Sequence, residues 1–259
     1  MAEMQFPKTG KFMQSRLRHA MTSHEKRQVE DLITEVEEVE GDRILIHRGD
    51  FCGQSMMLID GFMLRTIHEG GQQNIVGFQV PGDFVDLHAF ALKRLDHDLM
   101  VMGRAKVGYA PHDRMRDVLH DEPHLMRLFW FATLLDAAIH REWIMKSAQL
   151  RAVGRVAHLL CEVWYRLRMV GMGDRNGFRF PMTQVQMAQI CGMSSVHMSR
   201  TVRDLREGGV VDFRRGQIRI LDAERLKQLG QFSPAYLYGE GGLEIGNALA
   251  PGADELRPS

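Results

Sequence analysis

At 259 residues, with 33 basic and 33 acidic side chains, the chain is long enough for one large or two ordinary domains and carries no net charge. No stretch approaches the ~18 consecutive apolar residues that a membrane span needs. The N-terminal segment is charged from Lys8 to Arg43 with no apolar h-region, so no signal peptide is expected and the cytoplasm is the expected compartment.

In chain order, residues 12–40 read as helical, with Ser23 as the cap before His24–Glu38. From Gly41 to Tyr109 the texture changes to short apolar runs punctuated by glycine. Ile44 and Ile46 alternate with polar neighbours. Met56–Ile59 and Phe62–Ile67 flank Asp60-Gly61, the signature of a type I′ hairpin. Gly70-Gly71 marks a turn before Ile75–Val80, and Pro81-Gly82-Asp83 another. Strands at this spacing predict a β-barrel, roll or sandwich.

From Glu122 to Lys146 the pattern becomes helical. Leu125, Leu128, Ala132, Leu135 and Ile139 recur at steps of three and four, a coiled-coil seam that makes them the candidate dimer interface. Trp130, Phe131 and Leu134 fall off that seam, where they are expected to pack on the roll. The alternative is one long helix buried in its own core. Residues 151–170 form a further helix with Val156, Leu159, Leu160, Val163 and Leu167 inward.

Residues 183–220 carry the most specific signal. Thr183 and Gln186 form a capping box for a first helix, and Gly192 supplies the sharp turn that follows it. Ser194 caps a second helix running to Glu207, on which Met198, Val202 and Leu205 form an inward stripe. The opposite face, with Ser195, Val196, Ser199, Arg200 and Arg203, is short, polar and basic, as a helix placed in a DNA major groove should be. Gly208-Gly209 stops this helix. Val210–Phe213 and Gln217–Leu221 then read as two strands joined by Arg214-Arg215-Gly216, a basic turn suited to phosphate contact. This is a helix-turn-helix with a β-wing; a generic helical pair on a hairpin is the bland alternative, against which spacing, caps and charge agree. The charge division supports it: residues 147–230 hold 14 Lys and Arg against 7 Asp and Glu, leaving 19 against 26 elsewhere. After Tyr238 the chain is rich in Gly, Ala and Pro and reads as a flexible tail.

Cys52, Cys161 and Cys191 are too far apart in sequence for a disulfide framework or a cysteine cluster. Cys191 reads as a small buried thiol on the first helix; Cys52 carries the minor reading of an exposed redox thiol.

The order of β-roll, long helix and winged helix-turn-helix resembles the CRP/FNR family of bacterial transcription regulators over roughly residues 25–230. The carriers are Thr183–Arg206 and the roll stretch Ile59-Asp-Gly-Phe-Met with Gly77-Phe-Gln-Val-Pro-Gly-Asp-Phe84. The resemblance implies a homodimer that reads a palindromic double-stranded DNA site, and RNA polymerase as a partner. The implied fold is α+β. Its parts are an N-terminal helix and a β-roll of the cyclic-nucleotide-binding jelly-roll kind over residues 1–121, a dimerisation helix over 122–150, a winged helix-turn-helix over 151–238 and the tail over 239–259. The oxygen-sensing branch has Glu-x-x-Ser-Arg in its recognition helix, where this chain has Val196-His197-Met198-Ser199-Arg200. Arg200 is carried over as a guanine reader and Ser199 as a base or phosphate contact, while Val196 departs from the pattern. Thr183, Gln184 and Arg203 match phosphate-contact positions.

Relatives that bind cyclic AMP carry Gly-Glu after the Pro-Gly-Asp turn, then an Arg-Ser phosphate clamp. Here the first pair is Val85-Asp86, and Asp96-His97-Asp98 stands where the second should fall. Carboxylates in place of a guanidinium argue against cyclic AMP. Nothing precedes Cys52 to form the N-terminal cysteine cluster of the iron–sulfur members. Haem through one of the twelve histidines stays open, and the effector is unassigned. Two other readings remain: a DNA-binding protein whose roll is only a scaffold, and a metal-dependent cupin-like enzyme. Cupins usually place ligands as His-x-His, absent here, so Asp86, His88, Asp96, His97 and Asp98 read as solvated polar loop residues with no metal, and no catalytic residue is assigned.

Overall fold

The computed structural model describes residues 5–16, 20–214 and 216–238; Arg215 and the expected tail at 239–259 lie outside the described residues. Helices α1 (Gly10–Gln14) and α2 (Ser23–Leu32) lead into β1 (Glu35–Glu40), β2 (Ile44–Ile46), β3 (Gln54–Glu69), β4 (Gln72–Gln79), the short helix α3 (Ala89–Leu92) and β5 (Asp98–Pro111). These strands form one antiparallel sheet ordered β1-β5-β3-β4, with β2 also paired to β5. Helix α4 (His112–Asp121) precedes the long α5 (Pro123–Gln149) and α6 (Ala152–Met169). Then come β6 (Gly173–Asp174), β7 (Gly177–Arg179), α7 (Gln184–Ile190), α8 (Ser195–Glu207), β8 (Val211–Arg214), β9 (Gln217–Ile220) and α9 (Ala223–Gly230). The second sheet runs β6-β7-β9-β8. The fold is therefore α+β, a roll followed by a long helix and a winged helix-turn-helix, as the sequence predicts.

One apolar core joins the roll to the winged helix-turn-helix. Phe62 stacks on Phe78 at 5.5 Å, Phe78 meets Phe180 edge-on at 5.6 Å, and Phe180 meets Phe178 at 5.8 Å. Around this column lie Val156, Leu160, Val163 and Leu167 of α6, inward as predicted, with Met198, Val202 and Leu205 of α8. Gln189 on α7 also donates to the Gln73 carbonyl of β4 at 3.1 Å.

Four expectations need correction. Residues 12–40 are not one helix. Thr22 rather than Ser23 caps α2, through a reciprocal capping box with Glu25, and the helix ends at Leu32. The glutamate-rich stretch beyond it is β1, because pairing with β5 (Glu35 opposite Tyr109, Glu40 opposite Arg104) outweighs the helical propensity of Glu. Asp60-Gly61 is not a hairpin turn either. Both apolar runs belong to the single strand β3, and both pair with β5, Met57 opposite Gly108 and Met63 opposite Val101. The register shifts on either side of Asp60, so the pair forms a bulge that lets a long strand bend. The hairpin signal belongs to Gly70-Gly71, both at positive φ, between the paired residues Glu69 and Gln72. The wing strands also lie one residue from the expected ends, at Val211–Arg214 and Gln217–Ile220.

The fourth correction concerns α5. Leu125 and Leu128 are completely buried inside their own chain, among Phe6, Phe12, Met13 and Met115. Ala132 packs on the same cluster, Leu135 and Ile139 line a cavity against α6, and Ile139 is buried. The seam thus faces inward. Trp130 is 63% exposed, Leu134 50% and Ile144 72%, with Met126 and Met145 exposed beside them. Phe131 is half-buried: as expected it packs against the cluster that includes Met57, Phe84 and Leu87 of the roll, and it also meets Tyr238 edge-on at 5.4 Å. The stripe available to a second copy is the one expected to be covered.

The two kinds of glycine can be told apart. At Gly61, φ is +87° and a Cβ would lie 2.4 Å from the Arg104 carbonyl oxygen, whereas nothing lies within 4 Å of a Cβ on Gly70. Gly61→Ala should cost about 2–3 kcal/mol and Gly70→Ala about 1 kcal/mol, read from urea unfolding. Equal losses would restore the hairpin reading of Asp60-Gly61.

Candidate DNA interface and roll interior

The helix-turn-helix is held by the groups that its sequence suggests. Thr183 Oγ1 accepts from the Gln186 N–H at 3.2 Å while Gln186 accepts from the Thr183 N–H at 2.8 Å, the capping box of α7. The turn closes with Gly192 at φ +61° and with the Met193 N–H bonded to the Ala188 carbonyl. Ser194 Oγ then accepts from the His197 N–H at 3.3 Å and starts α8. Beyond α8, Gly209 at φ +67° redirects the chain into the wing.

This framing leaves one face of α8 open. Ser195, Val196, Ser199, Arg200 and Arg203 are all exposed, Val196 to 63%. Gln184, Val196, Ser199, Arg200 and Arg203 line one concavity, together with Arg206, which sequence reasoning missed although it extends the Ser199–Arg203 face by one turn. Thr183 sits at the edge, with its hydroxyl engaged in the capping box. At the wing, Arg214 is exposed but pairs with Asp212 Oδ2 at 2.6 Å. A phosphate must therefore compete with a carboxylate for it.

Arg155 was also not anticipated. Its Nη1 donates to the Cys191 and Gly192 carbonyls at 2.9 and 3.3 Å, so a guanidinium on α6 ties down the end of α7 and the turn. An arginine in the second turn of an amphipathic helix gives no sequence signal of that kind.

Inside the roll the polar residues are not the solvated loop that their sequence suggested. Asp86, His97 and Asp98 are buried, and only Asp96 is fully exposed. Arg65 on β3 is buried. Its Nε and Nη2 donate to the Val85 carbonyl at 3.1 and 2.6 Å, and Nη1 donates to Asp136 of α5. Asp86 accepts from the Met56 N–H at 2.6 Å, and burial pushes its carboxyl up to about 7. Asp98 accepts from the Arg48 N–H at 2.7 Å and faces His68 Nδ1 at 3.0 Å, so it is held at the rim by groups of its own.

A second network ties the roll to α6. Arg166 donates to Asp83 of the Pro-Gly-Asp turn at 2.6 Å and to the Phe78 carbonyl at 3.1 Å, and it faces Glu162 at 3.4 Å. Glu162 in turn accepts from Trp143 Nε1 of α5 and from the Tyr236 hydroxyl, at 2.9 and 2.7 Å. Beside it, a half-open cavity lies between α1, the Pro-Gly-Asp turn, α5 and α6, lined by Phe12, Phe84, Phe131 and Val170 with Asp136 and Arg166 among its polar groups. All three cysteines are buried and free. Burial raises the Cys191 and Cys161 thiols to about 12 and moves Cys52 upward too, which removes the reading of Cys52 as an exposed redox thiol. No described helix is long and apolar enough to cross a membrane.

Comparison with known proteins points to the same part of the chain. Residues 154–229 match the Crp-like helix-turn-helix domain family. The chain is 22% identical over 210 residues to the anaerobic regulatory protein of Haemophilus influenzae, covering 81% of each. It is 29% identical over 153 residues to the transcriptional activator protein FnrL of Cereibacter sphaeroides, covering 55% of this chain and 58% of that one. Among solved structures, FixK2 from Bradyrhizobium japonicum superposes with a TM-score of 0.69 at 16% identity, over 77% of this chain and 98% of that one.

Arg155→Met should keep the aliphatic packing and lose both carbonyl contacts. A stability loss of about 1–3 kcal/mol in denaturant unfolding is expected, with weaker DNA binding. Unchanged stability would mean that these contacts do not hold the turn.

Proposed function

We propose, for a chain that belongs to the CRP/FNR family of transcription regulators, that two copies pair along α5 and set their α8 helices into successive major grooves of a palindromic operator. The observation that carries this is the solvent-facing side of α8, where Ser195, Val196, Ser199, Arg200 and Arg203 stay open while Met198, Val202 and Leu205 are fully used in the core. Arg200 reads guanine through a bidentate contact, and Ser195 and Ser199 contact bases or adjacent phosphates. Val196 has no donor or acceptor, so its favourable base contact is apolar, with a thymine methyl. Thr183, Gln184, Arg203, Arg206 and Arg214 hold phosphates and fix the register; Arg215, outside the described residues, extends the wing in sequence.

The dimer face is the exposed stripe Met126, Trp130, Leu134 and Ile144. Large apolar side chains left in water along one side of a helix are what a second copy would cover. RNA polymerase is the partner and the cytoplasm the compartment that such a regulator implies. Its role is non-catalytic. Cyclic AMP is not its effector: Asp96 stands near the place of the phosphate clamp, and Arg65, a guanidinium buried on β3, is committed to Asp136 and Val85.

Two measurements test this reading. Ile144→Asp should yield a folded monomer by light scattering, whereas Leu128→Lys should unfold the chain, because it buries an unpaired charge in the protomer's own core. A monomer from Leu128→Lys with native circular dichroism would return the interface to the inward stripe. In a selection from randomised palindromes, Arg200→Ala should lose about 1–3 kcal/mol per half-site of specific binding and keep its non-specific affinity. Val196→Glu should move the preference toward cytosine. An unchanged motif with both variants would take α8 out of the groove.

A further inference from the structure

DNA reading leaves one group of side chains in the roll unused. His88 immediately precedes α3, and Asp96 and His97 lie just before β5. One ligand atom from each lies within 4.8 Å of those of the other two. The imidazole rings are 5.4 Å apart, and His97 Nδ1 lies 2.7 Å from Asp96 Oδ1. His97 is 5% exposed, and its Nε2 is fully enclosed with no hydrogen-bond partner among the described residues. Asp96 is exposed, which leaves the cluster a way in from solvent.

An enclosed imidazole nitrogen without a partner is a standing loss to the folded state, which a ligand bound at that nitrogen would remove. Two imidazoles and one carboxylate form a mixed nitrogen–oxygen donor set. Magnesium and calcium prefer oxygen alone, whereas first-row transition ions such as Zn2+ and Fe2+ take this set and keep positions open. Arg65, whose positive charge bears on both rings, is ion-paired with Asp136.

We propose that His88, Asp96 and His97 bind one divalent transition metal ion in the β-roll, with its remaining coordination positions open to water or a small ligand. The site lies beside Arg65, which joins the Val85 carbonyl to Asp136 on α5.

Equilibrium dialysis of the full-length, untagged chain against Zn2+ alone tests this, since zinc binds such donors at least as tightly as ferrous iron. The expected result is one zinc per chain, with affinity falling about tenfold or more in His97→Gln and in His88→Gln. X-ray absorption at the zinc edge should show two imidazoles and a carboxylate. His47 and His68 flank Asp98 at 3.7 and 3.0 Å and form a second histidine–carboxylate group, so the double variant His47→Gln/His68→Gln should keep the bound zinc. If His97→Gln fails to fold by circular dichroism, the half-buried His88 still supplies the test. Absence of zinc binding, or binding undiminished in a folded His88→Gln variant, overturns the proposal.

Discussion

The buried guanidinium of Arg166 is the joint on which the rest of the molecule is arranged. It sits on α6, yet its donors reach the Asp83 carboxylate and the Phe78 carbonyl of the roll, and Glu162 lies alongside at 3.4 Å. Glu162 is engaged from two further directions, by Trp143 of α5 and by Tyr236. Burial alone would push Asp83 toward its neutral form, and the Arg166 charge opposes that. Such a network gives little net stability over an apolar equivalent, but losing one member strands the others in a dry core. It therefore fixes how the roll, α5 and α6 meet more than how strongly they hold together.

From that joint the DNA-facing surface follows. Helix α6 carries Arg155, which ties down the turn after α7, and α7 packs its buried Met187 and Ala188 inward. Ser194 begins α8 at the position this allows, and the inward Met198, Val202 and Leu205 fix the rotation of α8 about its axis. The basic side of α8 faces water because its apolar side has no choice. The aromatic column from Phe62 to Phe178 then makes roll and helix-turn-helix one continuous core, so a change in the roll meets the DNA-binding part through packed contacts rather than a loose linker.

Much of this was legible in the sequence where local chemistry decides. Both caps of the helix-turn-helix, its inward stripe, the glycine stops and the wing strands follow from residue type and spacing within a few positions. What was not legible depends on partners distant in the chain. Period alone shows that α5 has two apolar stripes, but not which one its own chain covers. The deciding partners, Phe6, Phe12 and Met115, belong to segments whose placement the helix pattern does not contain. Asp60-Gly61 carries the same signal in a bulge as in a hairpin, and only the continuous pairing of β3 with β5 separates them. Arg65, Arg155 and Arg166 were missed because a buried arginine looks like a surface one until its acceptors are placed.

Hydroxyl-radical footprinting on an operator taken from a selection tests most directly the proposed pairing of two α8 helices on one face of DNA. The predicted result is two equivalent protected patches on one face of the duplex, centred about 10 base pairs apart and symmetric about the operator dyad. A single asymmetric patch, or uniform protection without symmetry, would contradict it.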